Sequence, residues 1–221
     1  MFCQEIQLEN FTEIVKKKLI IFDLDGVLFD SKKNMNNSWK KVKEKFKIKK
    51  SFVAYFQYIG LPFKKILFKL HIKNNLKEIE MTYKKESLKL LNQITLYPNV
   101  KETIINLRNN YKLAIVTSKD ITRTKMLLKK NKIPMQVVIA PRKNLRGKPY
   151  PDQILKAIKI SKTKKNDSIY VGDTEIDYNC AKNSGIRYIH AKYGYKQVRI
   201  SSKYVISKFN SLPRILSDIN F

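Results

Sequence analysis

Cysteine and histidine are scarce in this sequence, and their scarcity narrows the chemistry open to it. The two cysteines, Cys3 and Cys180, are far apart and lack a metal-ligand spacing, so neither a disulfide framework nor a zinc site is predicted. The two histidines, His71 and His190, leave little room for catalysis based on imidazole. We expect structural roles for all four residues.

Long apolar runs are also missing. No stretch approaches the roughly 20 apolar residues that a membrane-spanning helix needs. Charges are scattered through residues 1–18, which lack the apolar core of a secretion signal. We therefore expect a cytoplasmic protein that does not act at a membrane.

Acidic residues are few beside the basic ones: 18 Asp and Glu face 46 Lys and Arg, for a net charge of +28. Such a charge by itself suggests nucleic acid or another anionic surface as a partner. The lysines, however, are spread over every segment, and no arginine-rich or aromatic-interleaved tract stands out. We therefore do not expect nucleic-acid binding as the main function, and a positive field could still attract small phosphorylated substrates.

Apolar runs and helical patterns alternate in an α/β order around a helical middle. At 221 residues the chain suffices for one sizeable domain with an insert, present as a monomer or a homodimer. The fold class predicted is α/β, a three-layer Rossmann-like parallel sheet covered by helices on both faces. Residues 1–17 are predicted as a short helix or a loose extension. Strands are predicted near residues 19–22, 112–117, 136–139, 168–172, 186–189 and 204–206, with helices near 99–110, 121–130, 151–160 and 176–184 and a closing helix.

The middle of the chain reads as an all-helical insert in which no strand is predicted. Apolar residues such as Trp39, Val42 and Phe46 recur three and four residues apart, which places them on one helix face. Gly60-Leu61-Pro62 interrupts the pattern, and Tyr97-Pro98-Asn99 ends it. The predicted domains are a core of residues 1–30 and 97–221 and a helical cap of residues 31–96.

Two carboxylates one residue apart follow the first strand. In an extended chain Asp23 and Asp25 point to the same side, while Leu24 turns away into the core. Two carboxylates held together in a cleft are costly unless a cation or a shared proton relieves their repulsion. A βα turn with an acidic helix cap is the structural alternative.

Polar residues follow three further strands or the loops after them. These are Thr117-Ser118, then Lys148 between Gly147 and Pro149, and then Asp173 and Asp177. In open parallel sheets, ligands bind at the carboxyl ends of the strands, so we expect these side chains to meet. Taken singly each has a structural alternative: Ser118 or Asp120 could cap a helix, and a lysine is unremarkable in a lysine-rich chain.

In this order and spacing, the motifs resemble those of phosphatases of the haloacid dehalogenase superfamily with a helical C1-type cap. The resemblance, to phosphoglycolate phosphatases and β-phosphoglucomutase-like enzymes, covers residues 19 to about 189. It implies hydrolysis of a small phosphomonoester, phosphoglycolate-like or a sugar phosphate, through an aspartyl-phosphate intermediate.

The resemblance also implies a role for each motif. Asp23 would be the nucleophile, and Asp25 would protonate the leaving oxygen and then deprotonate the hydrolytic water. Thr117 and Ser118 would hold phosphoryl oxygens. Lys148 would bind the phosphate as well and offset the charge on it and on the nucleophile.

A magnesium ion is the implied cofactor, because an anionic nucleophile and an anionic phosphate need a cation between them. Its implied ligands are the carboxylates of Asp23 and Asp173 and the backbone carbonyl of Asp25. Asp177, four residues after Asp173, would lie in the outer shell.

Two other functions stay open at this point. A phosphosugar mutase of the β-phosphoglucomutase type would carry a histidine and an arginine where this chain has Met35 and about Phe63. A non-catalytic protein that binds nucleic acid through its basic surface is the third hypothesis. Lys64, Lys65 and Trp39 are candidate substrate contacts in the cap, with solvent exposure and core packing as their alternatives.

Overall fold

The computed structural model describes residues 17–195 and 202–221. The helix or extension predicted for residues 1–17 lies, apart from Lys17, outside the described residues. No helix within the described ranges combines the length and apolar character needed to cross a bilayer.

Six parallel strands form one sheet, and two short strands form a second. The strands are β1 (Leu19–Phe22), β2 (Phe29–Asp30), β3 (Thr95–Leu96), β4 (Lys112–Val116), β5 (Val137–Ile139), β6 (Ser168–Gly172), β7 (Arg187–Ala191) and β8 (Tyr204–Ile206). The large sheet has the order β5-β4-β1-β6-β7-β8. Strand β1 lies at its centre, with Leu19 paired to Lys112 of β4 and to Ser168 of β6.

The central strand is apolar because both of its faces are covered. All four residues of β1 are fully buried. Ile20 and Phe22 pack into one hydrophobic cluster, and Leu19 and Ile21 into another, as alternation along a strand requires. The continuous apolar run thus identifies a strand that is buried on both faces.

Helices cover both faces of the sheet and also form a separate segment. They are α1 (Lys32–Phe46), α2 (Phe52–Phe56), α3 (Phe63–Lys69), α4 (Leu76–Lys89), α5 (Val100–Asn110), α6 (Ile121–Asn131), α7 (Asp152–Ile160), α8 (Glu175–Ser184) and α9 (Leu212–Asp218). Helices α5, α6 and α9 pack on one face, and α7 and α8 on the other. The predicted α/β class with a parallel sheet is confirmed.

Helices α1 to α4, here called the helical segment, have a hydrophobic core of their own. Trp39 is fully buried in it, stacks on Tyr55 at 4.8 Å between ring centroids and donates to the carbonyl of Lys50. The expectation that no strand occurs between residues 30 and 96 is wrong in detail, since β2 and β3 pair antiparallel at the base of the segment. Two-residue strands are too short to carry a period-two pattern, so the sequence does not reveal them.

Candidate active site

Adjacent strands of the sheet bring the predicted site residues to one edge. Asp23 directly follows β1, Thr117 follows β4 and Asp173 follows β6, and these three strands are neighbours. All three residues are buried. The parallel order of the sheet is therefore what assembles residues that lie up to 150 positions apart in the chain.

Lys148 lies at the bottom of the site, fully buried between two carboxylates. Its Nζ is 2.5 Å from Oδ1 of Asp23 and 2.6 Å from Oδ1 of Asp177. Burial alone would lower the pKa of this lysine, but Asp177 and Asp23 outweigh burial and raise it. The ammonium group therefore stays charged beside the predicted nucleophile.

Asp177 has hydrogen-bond donors on both carboxylate oxygens. Oδ1 accepts from Lys148 and from the Tyr170 hydroxyl at 2.9 Å, and Oδ2 accepts from the hydroxyl and the backbone N–H of Thr174. Thr174 and Asp177 form a capping box at the start of α8. Burial opposes the charge on Asp177, but Lys148 and these donors hold its pKa below the ordinary value. Its contacts are those of a residue that positions Lys148.

Asp173 has one carboxylate oxygen that accepts no hydrogen bond from a described residue. It is fully buried; Oδ2 accepts from the backbone N–H of Tyr195 at 2.8 Å, while Oδ1 has no partner among the described residues. The backbone approaches it closely at Gly26 (φ +92°), where an added Cβ would lie 2.1 Å from Oδ2, and at Gly194, where one would lie 2.3 Å from its Cβ. Only glycine fits at either position.

These carboxylates meet the requirements of a hard cation. Oxygen atoms of Asp23, Asp173 and Asp177 lie within 4.8 Å of one another. Burial raises the pKa of Asp23 to about 7, although the nearby Lys148 acts to lower it. Burial and the negative charges of Asp177 and Asp23 raise the pKa of Asp173 well above its ordinary value. A buried, unpaired oxygen in a cluster of mutually repelling carboxylates fits Mg²⁺, which prefers oxygen ligands.

Asp25 is held at both of its oxygens. Oδ1 accepts from the hydroxyl of Ser31 at 2.5 Å, and Oδ2 is 3.0 Å from Nζ of Lys119. Lys119 is buried, and burial lowers its pKa against the opposing effect of Asp25, with Arg123 lowering it further. The predicted acid-base residue, Asp25, is thus paired with the buried ammonium group of Lys119.

Thr117 and Ser118 lie where the sequence predicted, at the turn from β4 into α6. The Thr117 hydroxyl accepts from the N–H of Lys119 at 3.1 Å, which leaves its own proton free to donate. The Ser118 hydroxyl donates instead to the carbonyl of Gly60, at 2.7 Å. Helix α6 is capped by Asp120, whose Oδ1 accepts from the N–H of Arg123, so of the two caps predicted Asp120 is confirmed and Ser118 is wrong.

The helical segment covers this edge and leaves a cavity of about 50 Å³. The carboxyl groups of Asp23 and Asp25 and the turn residues from Thr117 to Lys119 form its floor. The loop Gly60–Leu61 reaches down to the floor: an added Cβ on Gly60 (φ +98°) would lie 2.9 Å from Oγ1 of Thr174. The roof is mainly apolar or aromatic, with Met35, Tyr55, Ile59, Leu61, Phe63, Ile66 and Tyr83.

The residues that the sequence analysis singled out in the helical segment lie in different places: in the cavity lining, in the core of the segment or at the surface. Met35 and Phe63, which stand where a mutase would carry histidine and arginine, both line the cavity. Trp39 packs inside the segment, away from the cavity lining. Lys64 and Lys65 are exposed; Lys64 lies 3.9 Å from Glu80, and Lys65 lies over the Tyr150 ring.

Sequence reasoning missed three residues at the site. Lys119 pairs with Asp25, Tyr195 donates its N–H to Asp173, and Arg123 joins α6 to the helical segment by donating to the Ser87 hydroxyl at 2.7 Å. Lys119 directly follows Thr117-Ser118, but in a chain with so many lysines that position gives a weak signal. For Tyr195 and Arg123 the sequence carries no signal, because both act through long-range contacts.

Comparison with known proteins gives a consistent result. The profile of the haloacid dehalogenase-like hydrolase family matches residues 20–191. A protein of Caldanaerobacter subterraneus provisionally named pyrophosphatase PpaX is 28% identical over 186 residues, which is 81% of this chain and 83% of that protein. The phosphoglycolate phosphatase of Aquifex aeolicus is 24% identical over 211 residues, covering 91% and 97%.

Solved structures share the fold. The crystal structure of a hydrolase from Pseudomonas syringae superposes with a TM-score of 0.82 at 24% identity, covering 92% of this chain and 99% of that one. At this identity the superposition supports the fold alone.

Proposed function

This chain belongs to the haloacid dehalogenase-like hydrolase family and is a phosphatase, and from that premise we propose a specific reaction. It hydrolyses a small phosphomonoester with Mg²⁺ as cofactor, through an aspartyl-phosphate intermediate. The observation that carries the proposal is Lys148, which is buried against Asp23 beside a carboxylate oxygen of Asp173 that no described residue fills. That arrangement combines an oriented nucleophile with a buried carboxylate oxygen that suits a cation.

Asp23 begins the first half-reaction. Its Oδ1 is fixed by Lys148, while its Oδ2 accepts no hydrogen bond from a described residue and can attack phosphorus. The new Oδ2–P bond forms as the ester P–O bond breaks, and the leaving oxygen takes a proton from Asp25. The products of this half-reaction are the free alcohol and phosphorylated Asp23.

Water completes the second half-reaction. Asp25, now a carboxylate, takes a proton from the water while the water oxygen attacks phosphorus and the Oδ2–P bond breaks. Inorganic phosphate leaves, Asp23 regains its carboxylate, and Asp25 is again protonated. The cycle consumes one water molecule and balances in atoms and protons.

Charge around the transferring group is balanced by Lys148 and by the turn after β4. The Thr117 hydroxyl and the backbone N–H of Ser118 donate to phosphoryl oxygens at the start of α6. Asp23, Asp173 and the backbone carbonyl of Asp25 would hold Mg²⁺, with Asp177 in the outer shell. When bound, the ion neutralises the charge between nucleophile and phosphate.

Residues 31–96 act in this proposal as a cap over the site, and residues 1–30 and 97–221 as the catalytic core. The small cavity and its apolar roof favour a small substrate and exclude bulk water from the reacting atoms. Phosphoglycolate is the first phosphomonoester candidate, and pyrophosphate, a phosphoanhydride whose leaving group would be phosphate, is the alternative, because two relatives carry those substrates in their names. Met35 and Phe63 in the roof favour hydrolysis over a mutase reaction.

Release of inorganic phosphate with and without Mg²⁺ tests the proposal, using phosphoglycolate, pyrophosphate, a sugar phosphate and an aryl phosphate. Asp23→Asn should lower turnover at least about 10³-fold while the protein stays folded. Asp218→Asn, which changes a surface carboxylate in the same way, should leave turnover unchanged. Acid quenching with a ³²P-labelled substrate should leave label on the native protein and none on Asp23→Asn. Equal turnover in the two variants would overturn the nucleophile assignment.

A further inference from the structure

The pairing of Asp25 conflicts with the work that the proposed reaction asks of it. An acid-base residue must carry a proton and reach the leaving oxygen, within about 3 Å in the reacting complex. Here its two oxygens are engaged, by the Ser31 hydroxyl at 2.5 Å and by the Lys119 ammonium at 3.0 Å. Both oxygens are therefore committed to neighbours in the free protein, so the Asp25–Lys119 pair must separate before Asp25 can reach the leaving oxygen.

Lys119 cannot give up Asp25 without a replacement. It is 7% exposed, and Asp25 is the one carboxylate among the described residues that pairs with it. A buried ammonium group left without an anion loses far more than a surface one, because water does not take the place of its partner. Whatever frees Asp25 must therefore bring a negative charge to Lys119.

The cavity offers that replacement a place. Lys119 and Arg123 are the cationic residues among those that line it. Arg123 is already committed, through Nε to Asp120 and through one terminal nitrogen to Ser87, whereas Asp25 is the one side chain within residues 17–195 and 202–221 that holds the Lys119 ammonium group. Most of the roof is apolar or aromatic and has no charge to offer.

We propose, on the premise of the phosphatase reaction above, that Lys119 binds a second anionic group of the substrate and that this exchange releases Asp25 to act. The free protein holds the acid-base residue in an inactive ion pair. A substrate with two anionic groups places one on the nucleophile and the other on Lys119, and only then does Asp25 reach the leaving oxygen. Lys119 is thus a residue that determines specificity.

The geometry also limits how far apart the two anionic groups can be. Nζ of Lys119 lies 3.0 Å from Asp25, Asp25 must reach to about 3 Å from the leaving oxygen, and an anion bound to Nζ adds about 3 Å, so the second anion lies within roughly 9 Å of that oxygen. A carboxylate or phosphoryl group one or two atoms beyond the leaving oxygen satisfies this distance.

The test compares two substrates of the same chain length and different charge, phosphoglycolate and 2-hydroxyethyl phosphate. The native protein should prefer phosphoglycolate in kcat/KM, and Lys119→Met should lower that preference about 10- to 100-fold, the range of a hydrogen bond to a charged group. Lys119→Arg, which keeps the charge, should retain most of it. Lys125→Met makes the same change on the exposed side of α6 and should not alter the preference.

Each outcome decides between the two proposals. If the native protein with Mg²⁺ hydrolyses neither compound nor any other phosphomonoester, the proposed function fails. If it hydrolyses both and Lys119→Met keeps the native preference, the role of Lys119 fails while the phosphatase reaction stands. Because the readout is a ratio within one folded variant, a general loss of stability or rate does not imitate the expected result.

Discussion

The floor and the roof of the cavity are built in opposite ways. The floor comes from neighbouring strand ends and consists largely of polar and charged groups; beneath it, Lys148 is buried between Asp23 and Asp177. The roof comes from the helical segment and is mainly apolar, joined to the floor by a few contacts such as Ser118 to Gly60. The floor suits chemistry on a phosphate and, in the proposal for Lys119, the choice of substrates with a second anionic group, while the roof suits selection by size and polarity.

The largest expected effect comes from removing the ammonium group of Lys148, which lies beneath the floor. Lys148→Met leaves two carboxylates buried without their ammonium partner, which should lower the free energy of unfolding by about 3–5 kcal/mol and abolish phosphate release. Urea denaturation without Mg²⁺ measures the loss. The exposed Lys159→Met on α7 is the control, with a change within about 0.5 kcal/mol. A loss as small as that of the control would mean that Lys148 is not essential to the floor.

Asp173→Asn should separate metal binding from folding. Removing a buried charge that repels its neighbours should leave the metal-free protein as stable as before, or more so. Stabilisation by Mg²⁺, about 2.7 kcal/mol at a hundredfold excess over Kd, should disappear. Thermal unfolding with and without Mg²⁺ measures both. A variant that keeps the native Mg²⁺ shift would remove Asp173 from the metal site.

The pH dependence of Mg²⁺ binding follows from the raised pKa of Asp23, about 7 against 3.8. Folding favours the protonated form, so this stabilisation is complete below about pH 4 and is lost as the pH rises through 7. Mg²⁺ competes with that proton, and the rise in Tm that it causes should grow from about pH 5 to about pH 8. Taking the difference with and without Mg²⁺ cancels the opposite trend of His190, whose pKa burial lowers. A shift independent of pH would contradict the assignment.

The smallest effect is expected where roof and floor touch. Ser118→Ala removes the hydroxyl that donates to the Gly60 carbonyl, at a cost of about 1 kcal/mol in unfolding free energy. KM should rise a few-fold, because the loop that closes the cavity loses an anchor. Ser118→Thr keeps the hydroxyl and should restore both values. If alanine raises KM and threonine fails to restore it, the hydroxyl is not the anchor.

The sequence by itself determined the sheet and the order of the groups on the floor. Four apolar residues before Asp23 require a buried strand, and parallel strands carry their following residues to one edge, so Asp23, Thr117 and Asp173 had to converge. Local patterns suffice for this prediction, because each apolar run shows that its strand is buried and the residues after it mark the carboxyl end of the strand.

Only the tertiary structure decided which charges pair. Nothing near Lys119 in the sequence shows that it forms an ion pair with Asp25. Nothing near Asp173 shows that its Oδ1 has no hydrogen-bond partner among the described residues. Such pairings depend on distances between residues far apart in the chain, which no periodic pattern encodes. They are set when the helical segment closes over the strand ends and removes water from both.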